Sequence, residues 1–215
     1  MITLYSYPNS RSLRVAWTLE ELGLEYACEH VDLRQGAHQS EAHLARHPDA
    51  KLPALSDGEL TLFESVAICR YLAERYGEGR LMPQDLTGRA LLDQWLCFVI
   101  AELEQPLWTQ GKHKFALPAE RRVPAVLPTA AWEFQRALTA LQRGFDGRGW
   151  LLGETFTLAD ILLGHTLNWA HAFKQPLPEA LEAYRQRCNE RPALAVARSR
   201  EQAAADAAND AATHA

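Results

Sequence analysis

Apolar and polar positions follow two rhythms along this chain, with the change near residue 80. Before it, short strand-like runs alternate with amphipathic helices. Ile2 to Tyr5 is rich in strand formers. Residues 11–22 predict a helix, with Val15, Leu19 and Leu22 on one face, Glu20 and Glu21 outside it, and Gly23 as a natural stop. Glu25 to Val31 predicts a second strand, and Ser40 to Arg46 a looser helix. Leu52-Pro53-Ala54-Leu55-Ser56 opens another strand, Asp57-Gly58 predicts a hairpin turn, and Leu60 to Phe63 returns. A third helix is expected from Ser65 to about Tyr76, burying Ile68, Tyr71 and Leu72. The order is that of a βαβ unit followed by a hairpin and a covering helix.

Gly77, Gly79, Pro83 and Gly88 mark a linker, and the periodicity after it is helical. Leu92, Trp95, Leu96, Val99 and Leu103 form one stripe, and Ala131, Phe134, Leu138, Leu141 and Phe145 a second. Pro118, Pro124 and Pro128 break the chain between them. Leu158, Ile161, Leu162, His165 and Trp169 form a third stripe, started by a capping box of Thr157 and Asp160. Two shorter helices should flank Pro192. From Glu201 the chain is mostly Ala with polar residues, and a frayed or solvent-exposed helix is expected there. The expected division is 1–79, 87–200 and a tail of 201–215.

Composition narrows the function classes. The chain has 215 residues, 47% hydrophobic and 23% charged, which is ordinary for a globular protein. A net charge of -5 argues against nucleic acid as a partner. No apolar run is long enough for a membrane span. Cys28, Cys69, Cys97 and Cys188 are scattered without zinc or redox spacing, and the first residues lack a signal-peptide pattern. A cytoplasmic location is expected. His43 and His47 share metal-pair spacing without a third ligand nearby, so they are expected to be solvent-exposed and no metal is expected. His165, on an apolar stripe, is expected in the core.

Three short segments carry candidate chemistry. Tyr7-Pro8-Asn9-Ser10-Arg11-Ser12 joins the first strand to the first helix, at the carboxyl end of a strand where ligands bind in α/β sheets. Ser10 sits at or beside a helix N-cap, where amides and the helix dipole favour an anion; a plain cap is the simpler reading of the same residue. Lys51-Leu52-Pro53 opens an edge strand. Most X–Pro bonds are trans, but a cis bond would turn the Leu52 amide and carbonyl toward a peptide-like ligand. Glu64-Ser65 starts the third helix, with Ser65 as a good N-cap. A carboxylate on Ser65 and an ammonium on Glu64 would suit an amino-acid head group.

Taken together, these segments resemble cytosolic glutathione transferases over residues 2–200. The most specific pieces are Lys51-Leu52-Pro53-Ala54-Leu55, Leu62-Phe63-Glu64-Ser65-Val66-Ala67-Ile68 and Phe156-Thr157-Leu158-Ala159-Asp160. The spacing from Gly36-Ala37-His38 to Pro53 is similar to the theta class, and the helical half to a bacterial branch. The resemblance implies an α/β thioredoxin-like N-terminal domain and an all-α C-terminal helical domain. It implies glutathione as co-substrate, a small electrophile as second substrate, and a homodimer. By the same resemblance, glutathione pairs with Leu52 before a cis Pro53, its γ-glutamyl end sits on Glu64 and Ser65, and His38 and Lys51 meet its glycyl end. Ser10 would donate a hydrogen bond to the thiolate, with Asn9 and Tyr7 as rivals. Trp108, with Lys112 or His113, is a candidate for the electrophile's surroundings. No cysteine lies in the 7–12 loop, which argues against chemistry through an active-site cysteine. A glutathione-dependent isomerase, dehalogenase or peroxidase, or a non-enzymatic interaction module, would share these features.

Overall fold

The computed structural model describes residues 1–145, 147 and 149–213. Its contacts divide the chain into two compact units: Met1–Met82 together with the chain from Asn189 onward, and Pro83–Cys188.

The first unit is built on a four-stranded sheet. β1 (Ile2–Ser6) lies between β2 (Tyr26–His30) and β3 (Ala54–Asp57), and β4 (Leu60–Phe63) completes the order β2-β1-β3-β4. β1 runs parallel to β2, with Leu4 beside Cys28, and antiparallel to β3, with Leu4 beside Leu55. The parallel pair needs a crossover, which α1 (Ser12–Leu22) provides. α1 ends as its glycine dictates: Gly23 has φ +65°, and its amide returns to the Glu20 carbonyl at 3.1 Å. α2 (Glu41–Leu44) is one turn, capped by the Ser40 hydroxyl, and α3 (Ser65–Tyr76) follows the hairpin. The hairpin turn falls one residue later than Asp57-Gly58. Asp57 stays in the strand opposite Leu60, and Gly58, at φ +60°, opens the loop. Asp57 is held there because its carboxylate accepts hydrogen bonds from the Tyr71 and Tyr76 hydroxyls of α3.

The second unit is helical. α4 (Leu86–Phe98) begins with Asp85 accepting the Gly88 amide at 2.8 Å. It continues through a wider π-type stretch, Val99–Glu104, into α5 (Gln105–Gly111) and a further π-type stretch, Lys112–Ala116. Pro106 accounts for the first widening: it has no N–H to donate and its ring crowds the preceding turn. α6 (Leu127–Gly144) buries Phe134, Leu138 and Leu141, as its stripe predicts. α7 (Leu158–Ala172) starts with the expected capping box, and α8 (Glu179–Asn189) follows. Asp160 has no exposed surface. It accepts the Leu151 and Thr157 amides, each at 2.7 Å, the Thr157 hydroxyl at 2.9 Å and the Tyr184 hydroxyl. His165 is buried, as expected.

The last helix departs from expectation in where it docks, while residues 206–211 form the exposed helix expected of the tail. α9 (Pro192–Thr213) is continuous through Glu201 and packs on α1 and β2, so residues 189–200 group with the first unit and not with the helical one. Leu194, Ala197, Glu201 and Ala205 are buried along one face. Small side chains there allow close approach where bulky ones would not fit. Ion pairs fix the register: Arg191 pairs with Glu21 at 2.6 Å and Arg200 with Glu20 at 2.9 Å, while Arg200 also lies over the Tyr26 ring. Covered on several sides, α1 is buried without a break from Ser12 to Leu19, which is wider than the single face its sequence pattern predicts.

Asp160→Ala strands two amides and two hydroxyls in the interior. Urea unfolding should show a loss on the order of 3 kcal/mol or more. A loss below about 1 kcal/mol would show that these four bonds do not act as a buried network.

Candidate functional site

The β1–α1 loop is organised around two serine hydroxyls. The Ser10 amide returns to the Tyr7 carbonyl at 3.2 Å, and Asn9 takes a left-handed backbone at φ +63°, which asparagine tolerates better than most residues. The Ser10 hydroxyl oxygen accepts the Ser12 amide at 3.1 Å, and the Ser10 carbonyl accepts the Leu13 amide at 3.4 Å. The N-cap of α1 is Arg11, which makes no side-chain cap bond; Ser10 stands one residue before it, and its hydroxyl and carbonyl take up two amides that an anion would otherwise find open. Its hydroxyl also touches the Ser12 hydroxyl at 2.8 Å. Ser12 Oγ accepts the Tyr7 amide at 3.2 Å, lies 3.1 Å from the Tyr7 carbonyl and meets Glu201 Oε1. Three acceptors thus surround a hydroxyl that has one proton to give. Asn9 is exposed, and Tyr7 is half-buried with its ring stacked on His30 at 5.3 Å.

Leu52-Pro53 is a cis peptide bond. Leu52 is buried with Tyr5, Val31 and Ala54, and Tyr7 packs against the group. Among the described residues, none hydrogen-bonds the Leu52 amide or carbonyl in a turn or loop. The preceding segment is held by the two histidines expected to be exposed. His43 and His47 are instead buried, at 1% and 3% exposure. His43 Nε2 lies 2.9 Å from the Lys51 carbonyl, and His47 Nδ1 accepts the Asp49 amide at 3.3 Å beside the Phe63 ring. Their four-residue spacing serves packing, and burial pushes the His47 pKa down. The Lys51 ammonium is exposed and paired with Asp49, whose carboxyl it holds below the usual range. Such a surface pair is weak enough to yield to another anion. His38 lies in the short 3-10 turn Ala37–Gln39, with a buried Nδ1 that has no hydrogen-bond partner.

Glu64, and not Ser65, is the N-cap of α3. Glu64 is exposed at φ +70°, a conformation that costs a non-glycine residue about 1–3 kcal/mol and tends to persist at functional sites. Ser65, the first helical residue, is buried and accepts from Arg14 Nη1 at 3.3 Å. Arg14 has no exposed surface and links α1 to the start of α3.

Arg14 and Glu201 were not legible as site residues. Arg14 sits among the apolar residues of an ordinary amphipathic pattern, and Glu201 opens the alanine-rich tail. Glu201 is 2% exposed. Burial pushes its carboxyl up to about 8, against the lowering effect of the Ser12 hydrogen bond. A cavity of about 270 Å³ lies beside it, between Asn9 and Leu13 on one wall and Arg198 and Gln202 on the other. A larger cavity of about 650 Å³ in the second unit, lined by Phe98, Trp132, Arg136 and Arg143 among others, holds none of the candidate residues.

Trp108 is half-buried beside Trp169, with ring centres 6.4 Å apart. His113 accepts the Val123 amide at 3.1 Å. Both belong to the second unit, as does Lys112.

Comparison with known proteins matches both parts of the chain. Residues 1–74 match the family model described as "Glutathione S-transferase, N-terminal domain", and residues 94–192 match "Glutathione S-transferase, C-terminal domain". The disulfide-bond oxidoreductase YfcG of Escherichia coli K12 is 32% identical over 202 residues, covering 90% of this chain and 92% of that protein. The glutathione S-transferase GstA of Escherichia coli O157:H7 is 31% identical over 207 residues, covering 92% and 98%. A crystal structure of a glutathione transferase family member from Pseudomonas fluorescens, with two glutathione bound, superposes with a TM-score of 0.79 at 28% identity over 91% of each chain. With its four-stranded sheet, its cis Leu52-Pro53 and its helical second unit, this chain belongs to the cytosolic glutathione S-transferase family.

Proposed function

We propose that this chain is a glutathione transferase of serine type, joining the sulfur of reduced glutathione to a small electrophile. The observation that carries the reading is the presence in one folded unit of the Ser10 hydroxyl at the head of α1, the Leu52-Pro53 bond and the Glu64–Ser65 start of α3. Each is unremarkable alone; together they suit the three parts of one tripeptide.

Leu52 would pair its amide and carbonyl with the cysteinyl backbone. Ser65 would hold the γ-glutamyl carboxylate, with the buried Arg14 guanidinium supplying positive charge behind the oxygen. Glu64 would take the ammonium, which gives its left-handed backbone a purpose. Lys51 would exchange Asp49 for the glycyl carboxylate, and His38 would bring its unpartnered nitrogen to the same end. The sulfur would then reach Ser10, with Asn9 at its flank. A free thiol ionises near pH ~8.5, and a helix N-terminus lowers this by a unit or more. A Ser10 hydrogen bond to sulfur favours the anion further. The thiolate forms the new carbon–sulfur bond. In a substitution the leaving group departs with its electron pair; in an addition the pair moves onto the acceptor and a solvent proton follows. The protein supplies proximity and charge stabilisation, so no second nucleophile is required. A homodimer in the cytoplasm is part of the same reading.

The name of YfcG favours a second reading, in which the glutathione thiolate attacks a disulfide sulfur and expels the other sulfur as a thiolate. The loop 7–12 holds no cysteine, so glutathione itself would have to be the attacking thiol.

Ser10→Ala should raise the pKa of bound glutathione, read from thiolate absorbance near 240 nm. It should lower kcat/KM at pH 6.5 about tenfold or more, with little change in glutathione affinity. An unchanged titration in Ser10→Ala alongside a shifted one in Asn9→Ala or Tyr7→Phe would reassign the sulfur's partner. Retention on immobilised glutathione is expected for the wild type, and passage without retention would favour an interaction module. Turnover of a small disulfide but not of a chloronitroaromatic would favour the second reading.

A further inference from the structure

The hydroxyl chain at the head of α1 does not end at Ser12. It continues to a carboxyl on α9, far away in sequence, that the reaction outlined above does not use. Glu201 is almost fully buried, its Oε1 meets Ser12 Oγ, and Ser12 Oγ meets Ser10 Oγ at 2.8 Å. We infer that Glu201 is a positioning residue for Ser10, setting through Ser12 the direction in which the hydroxyl protons of this chain are donated. The inference rests on the reading of Ser10 as the donor to the glutathione sulfur.

Proton counting gives two arrangements. With Glu201 neutral, its own O–H is donated to Ser12 Oγ. The Ser12 proton then goes to Ser10 Oγ or to the Tyr7 carbonyl, and in either case both Ser12 lone pairs are taken, by the Tyr7 amide and the Glu201 O–H, while Ser10 Oγ accepts the Ser12 amide. Ser10 is thereby loaded as an acceptor from the protein side, and its proton is directed outward to a bound anion. With Glu201 ionised, Ser12 must donate to the carboxylate. Its oxygen then attracts the Ser10 proton, and that proton turns inward. The sulfur loses its donor and gains a buried negative charge nearby. Both effects act in the same direction.

The surroundings place the switch above neutrality. Burial favours the neutral carboxyl and outweighs the Ser12 hydrogen bond, which favours the ionised one. On α1, Glu20 is paired with Arg200, Glu21 with Arg191, and Arg14 is directed to Ser65; Arg11 precedes the helix. On β2, Tyr26 lies under Arg200, and Cys28 has its thiol raised by burial and by Glu201; Glu29 and His30 end the strand. On α9 itself, Arg198 and Arg200 flank Glu201, and Arg198 donates to the Asn189 side chain.

The test is the pH profile of kcat/KM from pH 6 to 9.5, with glutathione and a chloronitroaromatic, corrected for the uncatalysed rate. The wild type should lose about tenfold above a midpoint near 8, the worth of one hydrogen bond to a charged atom. Glu201→Gln keeps a neutral donor to Ser12 and cannot ionise, so its profile should lack this limb. Glu201→Ala should be depressed across the whole range. Because the folded protein holds the Glu201 proton above the ordinary glutamate range, it binds more protons than the unfolded chain, and wild-type stability should fall relative to Glu201→Gln as pH rises from about 5 to 8. A merely structural role would give this stability difference without the kinetic one. An alkaline limb equal in wild type and Glu201→Gln overturns the inference. If Glu201→Gln does not fold, Ser12→Ala cuts the chain at its middle and should also remove the limb; an unchanged limb there overturns the inference equally. If Ser10→Ala leaves the bound thiol's titration unchanged, the reading of Ser10 itself fails, an outcome distinct from a Ser10 effect without a Glu201 effect.

Discussion

The candidate site depends on how the first turn of α1 is held. A helix start leaves amides without partners, and here Ser10 takes up two of them, one with its side chain and one with its carbonyl. The loop is drawn tight by Ser12 Oγ, which engages both backbone polar groups of Tyr7. The consequence is a serine hydroxyl on a backbone tied by several hydrogen bonds. On the proposed reading of Ser10 as donor to the sulfur, a hydroxyl tied in this way loses little by reorganising when charge arrives.

The same constraint explains why elements distant in sequence meet around this loop. Arg14, one turn into α1, is buried and reaches Ser65, so the head of α1 and the head of α3 are tied by one guanidinium. Glu201 reaches Ser12 from the other side, on a helix fixed by Arg191 and Arg200 against two α1 glutamates. These ion pairs are partly buried and fix register more than they add stability. His43 and His47 hold the segment before Leu52-Pro53.

Much of this was legible in the sequence, and what escaped it has physical causes. The βαβ order, the Gly23 stop and the Thr157–Asp160 box are local patterns, and each was read from a few neighbouring residues. The burial of His43 and His47 was not, because the groups that receive them, the Lys51 carbonyl and the Phe63 ring, lie outside the short helix whose pattern made them look solvent-facing. The docking of α9 was missed because alanine carries little hydrophobic signal, yet its small size is what permits close packing on α1. The hairpin shift at Asp57 depends on two tyrosines in α3, and the Ser65 assignment on an arginine in α1. Both are long-range effects with no local trace. The widened helix before Pro106 could have been anticipated from the proline alone.

The account stands or falls on where the glutathione sulfur rests. A crystal structure of this chain with reduced glutathione at neutral pH measures that directly. The account expects the sulfur within about 3.5 Å of Ser10 Oγ, with the cysteinyl backbone paired to Leu52. A sulfur bonded to Asn9 or Tyr7 and out of reach of Ser10, or a tripeptide bound elsewhere in the chain, would contradict it.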